Sequence, residues 1–393
     1  MSLRPTTIEE TQELVRIHPR LLPRGRGSKP PLSTPPEGVT SLDLAGLSGI
    51  IEYQPEEFTF TALAGTPIKE VETLLAGHGQ YLPFDPLLAQ RGATLGGTVA
   101  SGVSGPGRQR YGGVRDFLIG VRFVDGEGKL VHGGGKVVKN AAGFDLPKLM
   151  VGSLGRLGAL VELTFKVFPG PQVYATLKLD YPHLEVALTD IYRLTISSLE
   201  LHGLDLEPAG EGGGEEVRRD ETTRRGRGDG KSHWVLWARL GGLREAMPAR
   251  IERLREFLLK PKGGATHAEI IQGAEEETLL WQQVKGFEWI PAGWALVKVP
   301  LTPKRIPTTE AQLSGAVARR RYSAGGNVLW LAWPTSNTEV WSSKLNLLLN
   351  NLDLSGLVLL GPPGVIRVGV NPGASFAQRV KQALDPGGRF LEL

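Results

Sequence analysis

The chain has 393 residues, 40% of them hydrophobic and 22% charged, a length that allows two or three domains. Cys is absent, which excludes disulfides, thiolate nucleophiles, cysteine-ligated iron–sulfur clusters, Cys–zinc sites and a cysteinyl bond to a flavin. The seven His stand singly, the net charge is only +4, with 45 basic against 41 acidic residues, and no run is long and apolar enough to cross a bilayer. These features, with an N-terminus that lacks a basic-then-apolar leader pattern, predict a cytoplasmic protein that reaches a membrane only through a partner and binds no nucleic acid.

Thr6 and Thr7 precede a first helix, which Glu9 and Glu10 favour through the helix dipole and which should end near His18-Pro19. Leu21-Leu22 reads as a short buried strand, followed by Arg24-Gly25-Arg26-Gly27-Ser28 and a proline-rich connection over 30–36. Strands are predicted over 42–44 and 58–64, the latter alternating Phe58, Phe60 and Ala62 with Thr59, Thr61 and Leu63. A helix over 67–76 begins at Pro67 and ends at Gly77-His78-Gly79. Residues 119–124, a turn at 125–128, and 129–132 form a hairpin signal, and 160–167 closes the glycine-dense part as a strand. Past Pro169-Gly170-Pro171 the pattern predicts a strand over 174–179, a helix over 184–192, a flexible charged loop over 208–231, a strand over 234–240 and an amphipathic helix over 245–259.

Three glycine constellations carry the chemistry. In the first, Gly25 and Gly27 after a strand let backbone N–H groups converge on an anion, or simply make a turn. The loop lacks the Gly-Lys-Ser/Thr ending of a Walker loop and is not GxGxxG. The second joins Pro83-Phe84-Asp85-Pro86 to the small-residue run ATLGGTVASG at 93–102, which suits either a planar ligand or tight helix–sheet packing. The third runs from Lys139-Asn140 through Gly143-Phe144-Asp145 to GSLGRLG at 152–158.

In order and spacing these segments resemble the FAD-binding domain of the vanillyl-alcohol oxidase and p-cresol methylhydroxylase (VAO/PCMH) family, which includes the D-2-hydroxyacid dehydrogenases. Within it, PFDP, ATLGGTVASG, GKVVKNAAGFDLPKLMVGSLG and the late ALDPGGRF are similar to the E subunits of bacterial glycolate oxidases. The resemblance implies an α+β fold: a two-lobed PCMH/VAO-type FAD domain over 1–170, a smaller cap-like partner-interaction domain over 171–374, and a segment over 375–393 that packs back on the first. It implies that Arg24, Gly25, Arg26, Gly27 and Ser28 wrap the FAD pyrophosphate, and that Pro83, Asp85 and Pro86 approach the flavin. Thr94, Gly96, Gly97, Thr98 and Ser101 would bind phosphate or line the isoalloxazine. Asn140, Gly143, Phe144 and Asp145 would form a flavin-side turn, and Gly152, Ser153, Gly155, Gly158 and Leu160 would meet flavin or adenosine. Many relatives carry a flavin-linking histidine where this chain has Ser28; with Cys also absent, FAD is expected to be noncovalent. Relatives commonly read GSEGTLG where this chain reads GSLGRLG, and Arg156 lies either near the cofactor's phosphates or in solvent.

The resemblance implies as partners a catalytic FAD subunit (GlcD-like) and an iron–sulfur subunit (GlcF-like), with a small 2-hydroxyacid as the substrate of the complex. A catalytic set for that oxidation needs a base and a carboxylate-binding cation. In the second half His183, His202, His233 and His267 are isolated, and Arg244, Lys298, Arg305, Arg319, Arg320 and Arg321 are unranked as carboxylate ligands. Trp281, Trp289, Trp294, Trp330, Trp333 and Trp341 read as core or partner surface. The leading expectation is therefore an FAD-binding accessory subunit, with no catalytic residue assigned. A self-sufficient FAD-dependent 2-hydroxyacid dehydrogenase and a scaffold with a decayed flavin site are the alternatives.

Overall fold

The Thr7 side chain accepts a hydrogen bond from Glu10 N and so starts the helix Ile8–Ile17, which buries Thr11 and Val15 and stops at the extended residue His18. This helix opens the computed structural model, which describes residues 2–135, 145–210, 233–259, 263–336 and 340–392. The chain divides into two units of similar extent. One comprises Met1–Gly105, Tyr111–Gly170 and Asn371–Leu393; the other comprises Pro106–Arg110 and Pro171–Val370.

The first unit has two main sheets. Ser2–Leu3, Thr40–Asp43 and Leu21–Arg24 pair in that order, all parallel. Ile50–Gln54, Thr59–Leu63, Ala159–Lys166, Leu118–Val124 and Leu130–Gly134 form an antiparallel sheet in that order. The expected hairpin is present: Leu118–Val124 pairs with Leu130–Gly134 across a turn in which Asp125 accepts from Glu127 N and Lys129 N. Phe58 does not begin the third strand as expected. It adopts a left-handed conformation (φ 52°), and the strand starts at Thr59. The stretch after Ser28 is not a plain connection, for Pro30–Ser33 makes one helical turn with prolines at its start. Val15, Leu21, Leu42, Leu44, Val124, Val161 and Phe390 share one core, which ties the parallel sheet to the antiparallel one.

The C-terminal segment belongs to this first unit. Leu21 N donates to Arg389 O at 2.7 Å, extending the parallel sheet by a bridge between Leu21 and Phe390. Lys381, on the helix Ala374–Leu384, is 4% exposed. Its ammonium donates to Asp385 Oδ2 at 2.6 Å, Phe390 O at 3.0 Å and Arg156 O at 3.3 Å. Asp385 also accepts from Arg389 N and Phe390 N.

The second unit is a nine-stranded antiparallel sheet in the order His267–Ile271, Val173–Tyr181, Trp234–Gly242, Gly203–Pro208, Arg319–Ser323, Val328–Pro334, Trp294–Pro300, Ser355–Leu360, Arg367–Gly369. One face carries Leu177, Leu236, Leu204, Leu331 and Val297, packed with side chains of the helices Leu184–Thr195, Met247–Leu259, Ile306–Leu313 and Trp341–Asn351. On the other face Trp237 and Ile271 pack with Trp281 and Val284 of the helix Ala274–Gly286. The loop expected over 208–231 lies outside the described residues from 211 onward, and Gly203–Pro208 is strand.

Removing the Lys381 charge leaves Asp385, 2% exposed, without its cation. Lys381→Met is expected to destabilise the first unit by about 3–5 kcal/mol, the usual cost of breaking a buried ion pair. Urea unfolding of the full chain, with limited proteolysis to report release of the C-terminal segment, measures this.

Candidate functional site

The loop after the strand Leu21–Arg24, the helix Leu95–Ser101 and the turn at 152–158 meet in the first unit. Their approach depends on glycine. A Cβ at Gly25 would sit 2.3 Å from Thr94 Oγ1, and one at Gly96 would sit 2.9 Å from Ala64 O. A Cβ at Gly102 would sit 3.2 Å from Gly152 Cα, and one at Gly155 3.2 Å from Pro23 O. Gly27, Gly152 and Gly155 also have φ of 78°, 84° and 69°, conformations that side chains disfavour. Thr94 caps the helix by accepting from Gly97 N, and backbone bonds from Gly152 N to Val99 O and from Leu154 N to Ala100 O join helix to turn.

Two adjoining cavities of about 60 and 40 Å³ lie at this junction. The first is lined by the whole loop from Pro23 to Lys29, with Leu32, Ser33, Thr94, Gly97, Ala100, Ser101 and Leu154. The second shares Pro23, Arg24, Gly25, Thr94, Gly97 and Ala100 with it and adds Leu44, Ala64, Gly96, Gly155, Gly158 and Leu160. Arg24, Gly25, Arg26, Gly27, Ser28, Thr94, Gly96, Gly97, Ser101, Gly155, Gly158 and Leu160 are thus brought together, from three segments far apart in sequence.

The remaining candidates are placed differently. Thr98, Gly152 and Ser153 lie beside the lining, on the same helix and turn. Pro83, Asp85 and Pro86 line neither cavity; they form a separate turn in which Asp85 takes φ 54° and accepts from Gly105 N. Asp145 lies on a larger cleft, of about 1400 Å³, with Arg115, Asp116, Lys148, Lys166 and Phe168. There it caps the helix Leu146–Met150, and the hydrogen bond from the Lys148 ammonium holds its carboxyl below the usual carboxylate range. Asn140, Gly143 and Phe144 fall outside the described residues. Arg156 is 5% exposed, which removes the reading that placed it in solvent.

The polar groups at the junction suit an oxygen-rich anion. Arg24 Nε, Thr98 Oγ1 and Ser153 Oγ are buried without a hydrogen-bond partner in the structure, an unusual state for buried polar atoms. Arg24 reaches Asp43 only at 3.6 Å. Lys29, which the sequence reading passed over, is buried at the cavity edge, and burial alone lowers its ammonium pKa to about 8. A lysine at the end of a glycine loop and directly before Pro30-Pro31, which begin a helical turn, was the available signal.

In the second unit the basic candidates are largely neutralised internally. Arg321 donates to Asp205 at 2.8 Å and Glu207 at 2.7 Å, and Glu207 also accepts from Trp237 Nε1. Burial pushes the Glu207 carboxyl up, against the attraction of Arg321. Arg320 Nε donates to both carboxylate oxygens of Glu310, Arg319 donates to Trp289 O, and Arg305 donates to Leu352 O. Arg239, not singled out from sequence, holds Glu277 through two hydrogen bonds while stacking on Tyr174. Lys298 is held to about 8 by burial, with Arg108 adding to the effect. Arg244 stays on the surface, where its backbone N–H meets Gln172. His202 is buried with its ring edge-on to Tyr174, whereas His233 and His267 are exposed. Trp281, Trp289, Trp330, Trp333 and Trp341 are buried, as a core reading requires. Among the described residues no group of three or more His, Asp or Glu is placed to hold a metal ion.

In the first unit, then, glycine-lined cavities lie beside the basic side chains of Arg24, Arg26 and Lys29. Residues 1–134 match the family described as FAD binding domain, and the cofactor of the first unit is FAD. The chain is similar to glycolate oxidase subunit GlcE of Escherichia coli (strain K12), with 40% identity over 197 residues, covering 50% of this chain and 56% of that protein. It is 32% identical over 189 residues to glycolate oxidase subunit GlcD of Bacillus subtilis (strain 168), covering 47% of this chain and 40% of that one. A D-lactate dehydrogenase of Anaerostipes hadrus is 30% identical over 168 residues, covering 43% of this chain and 35% of that one. The matches therefore span just over half of GlcE and less of the others. Among solved structures, an alkyldihydroxyacetonephosphate synthase superposes with TM-score 0.72 at 16% identity, over 98% of this chain and 76% of that one, which shows a shared fold.

Gly25→Ala forces a methyl group against Thr94. It is expected to weaken FAD binding about tenfold or more, some 1.4 kcal/mol, without unfolding the chain. Quenching of flavin fluorescence on titration, alongside circular dichroism, checks this.

Proposed function

We propose that the chain is the FAD-binding accessory subunit of a glycolate-oxidase-like complex that oxidises a small 2-hydroxyacid, with a catalytic FAD subunit and an iron–sulfur subunit as its partners. The observation that carries this reading is the 40% identity to GlcE over 197 residues, beside a family match over 1–134 that includes much of the cavity lining. A second observation favours an accessory role over independent catalysis. Arg320 and Arg321, two obvious candidates to grip a substrate carboxylate, are already bound by Glu310, Asp205 and Glu207. An arginine with two buried carboxylates on it has little left to offer a third.

In this reading the loop from Arg24 to Ser28 and the residues Thr94, Gly96, Gly97, Ser101, Gly155, Gly158 and Leu160 hold the cofactor, with Thr98 and Ser153 donating their free hydroxyls. Pro83, Asp85, Pro86, Asn140, Gly143, Phe144, Asp145 and Gly152 belong to the same assignment on resemblance. Bound FAD would supply an acceptor for a hydride or for single electrons. Binding is noncovalent: the lining carries Ser28 and neither His nor Cys, so no side chain on it forms the usual bond to the isoalloxazine. No helix among the described residues is long and apolar enough to cross a membrane, so membrane attachment of the complex would fall to its partners.

Acid precipitation of purified protein is expected to release all flavin into the supernatant as FAD. Glycolate or D-lactate is expected to bleach the visible flavin band only when the partner subunits are added. Full bleaching by the isolated chain would instead identify a self-sufficient dehydrogenase. A colourless chain that takes up no FAD would overturn the reading altogether.

A further inference from the structure

The residues lining the first cavity include three cations, Arg24, Arg26 and Lys29, and no carboxylate. The other lining side chains with polar groups are Ser28, Ser33, Thr94 and Ser101, all neutral. Arg24 is partly compensated by Asp43 at 3.6 Å, and Arg26 is exposed and solvated. Lys29 has neither form of relief. It is 5% exposed, its backbone carbonyl accepts from Leu32 N and Ser33 Oγ, and its ammonium has no hydrogen bond or ion pair among the described residues. A buried cation without a counter-charge is destabilising to the fold, and such groups persist chiefly where a ligand supplies the missing charge.

We propose that Lys29 receives the diphosphate of FAD and is the residue on which retention of the cofactor chiefly depends, in place of a covalent bond. The inference rests on the noncovalent FAD reading above. It singles out Lys29 from Arg24 and Arg26 because a charge already paired with Asp43, or already in water, gains less from an arriving anion than one that is buried and alone. Lys29 is a binding residue here and takes no part in the chemistry. The diphosphate is shared by FAD and ADP and is absent from riboflavin, so the three compounds separate recognition of this group from recognition of the ring.

Burial lowers the free ammonium to about pH 8, and a bound diphosphate raises it again. Binding then takes up a proton when the pH lies above that value, and affinity falls as the pH rises through it. No His, Tyr, Asp or Glu lines this cavity beside Lys29, and the other charged side chains of the lining are the guanidinium groups of Arg24 and Arg26.

The test uses the full chain freed of flavin and titrated with FAD, ADP and riboflavin. Lys29→Met keeps the length and apolar stem of the side chain and removes its charge. It is expected to weaken FAD and ADP by a similar factor, on the order of tenfold or more, and to leave riboflavin unchanged. Thermal stability of the flavin-free variant should equal or exceed that of the parent, an outcome opposite to that of a merely structural lysine. The parent's FAD affinity should fall by roughly tenfold per unit above about pH 8, and that of the variant should stay flat over the same range. The proposal fails if Lys29→Met binds FAD within about twofold of the parent, if it loses FAD but not ADP, or if parent and variant share one pH profile. A parent chain that binds no FAD at all would bring down the functional reading and this inference with it. A parent that binds FAD beside an equally competent variant would bring down only this inference.

Discussion

The close approach of three backbone segments is the constraint on which the rest of the first unit depends. The loop at 24–28, the helix Leu95–Ser101 and the turn at 152–158 come within reach of one another because Gly25, Gly96, Gly102 and Gly155 place no carbon between them. Each glycine forgoes side-chain packing and costs backbone entropy on folding. The compensation is a set of backbone bonds across the junction, from Gly96 N to Ala64 O, Gly152 N to Val99 O and Leu154 N to Ala100 O. These join segments that belong to different elements, so the cavities are a product of the whole unit and of no single motif.

Charge is distributed unequally between the two units' polar interiors. In the second unit, Arg321 with Asp205 and Glu207, and Arg239 with Glu277, are networks in which each cation meets buried carboxylates, although Arg321 Nη2 has no acceptor among the described residues. Such networks fix side chains and specify the packing of the sheet against the helix Ala274–Gly286. In the first unit, Lys29 and the hydroxyls of Thr98 and Ser153 are left open. Closed polar interiors serve the fold, whereas open ones are where a ligand is accommodated.

Much of the first unit was legible in the sequence. The capped helix Ile8–Ile17, the hairpin around Asp125 and the strand Ala159–Lys166 follow from local signals that tertiary contacts did not override. The glycine positions pointed to the junction of the three segments because their requirement is steric and local. Lys29 was hidden because it precedes the one-turn helix Pro30–Ser33, where a proline-rich run reads as a linker and a lysine as a surface residue. Much of the second unit's sheet was hidden for another reason. In Gly203–Pro208, Asp205 and Glu207 alternate with Leu204 and Leu206, and this looks like a half-exposed segment until Arg321, more than a hundred residues later, neutralises it. Pairings of that range leave no mark in a local window.

The bridge between Leu21 and Phe390, with the Lys381–Asp385 pair behind it, means that the strand feeding the glycine loop is flanked by residues that follow the whole second unit in sequence. The nine-stranded unit is in effect an insertion within the first, entering after Gly170 and leaving before Asn371. Domains usually acquire structure in the order of synthesis. Here that order is interrupted: the first unit cannot close until the second has been synthesised. A nascent chain stalled within the inserted unit would expose Leu21 and its neighbours without the strand-like segment that pairs with them. Sequence continuity and structural continuity part company in this chain: one unit is assembled from segments that the other separates.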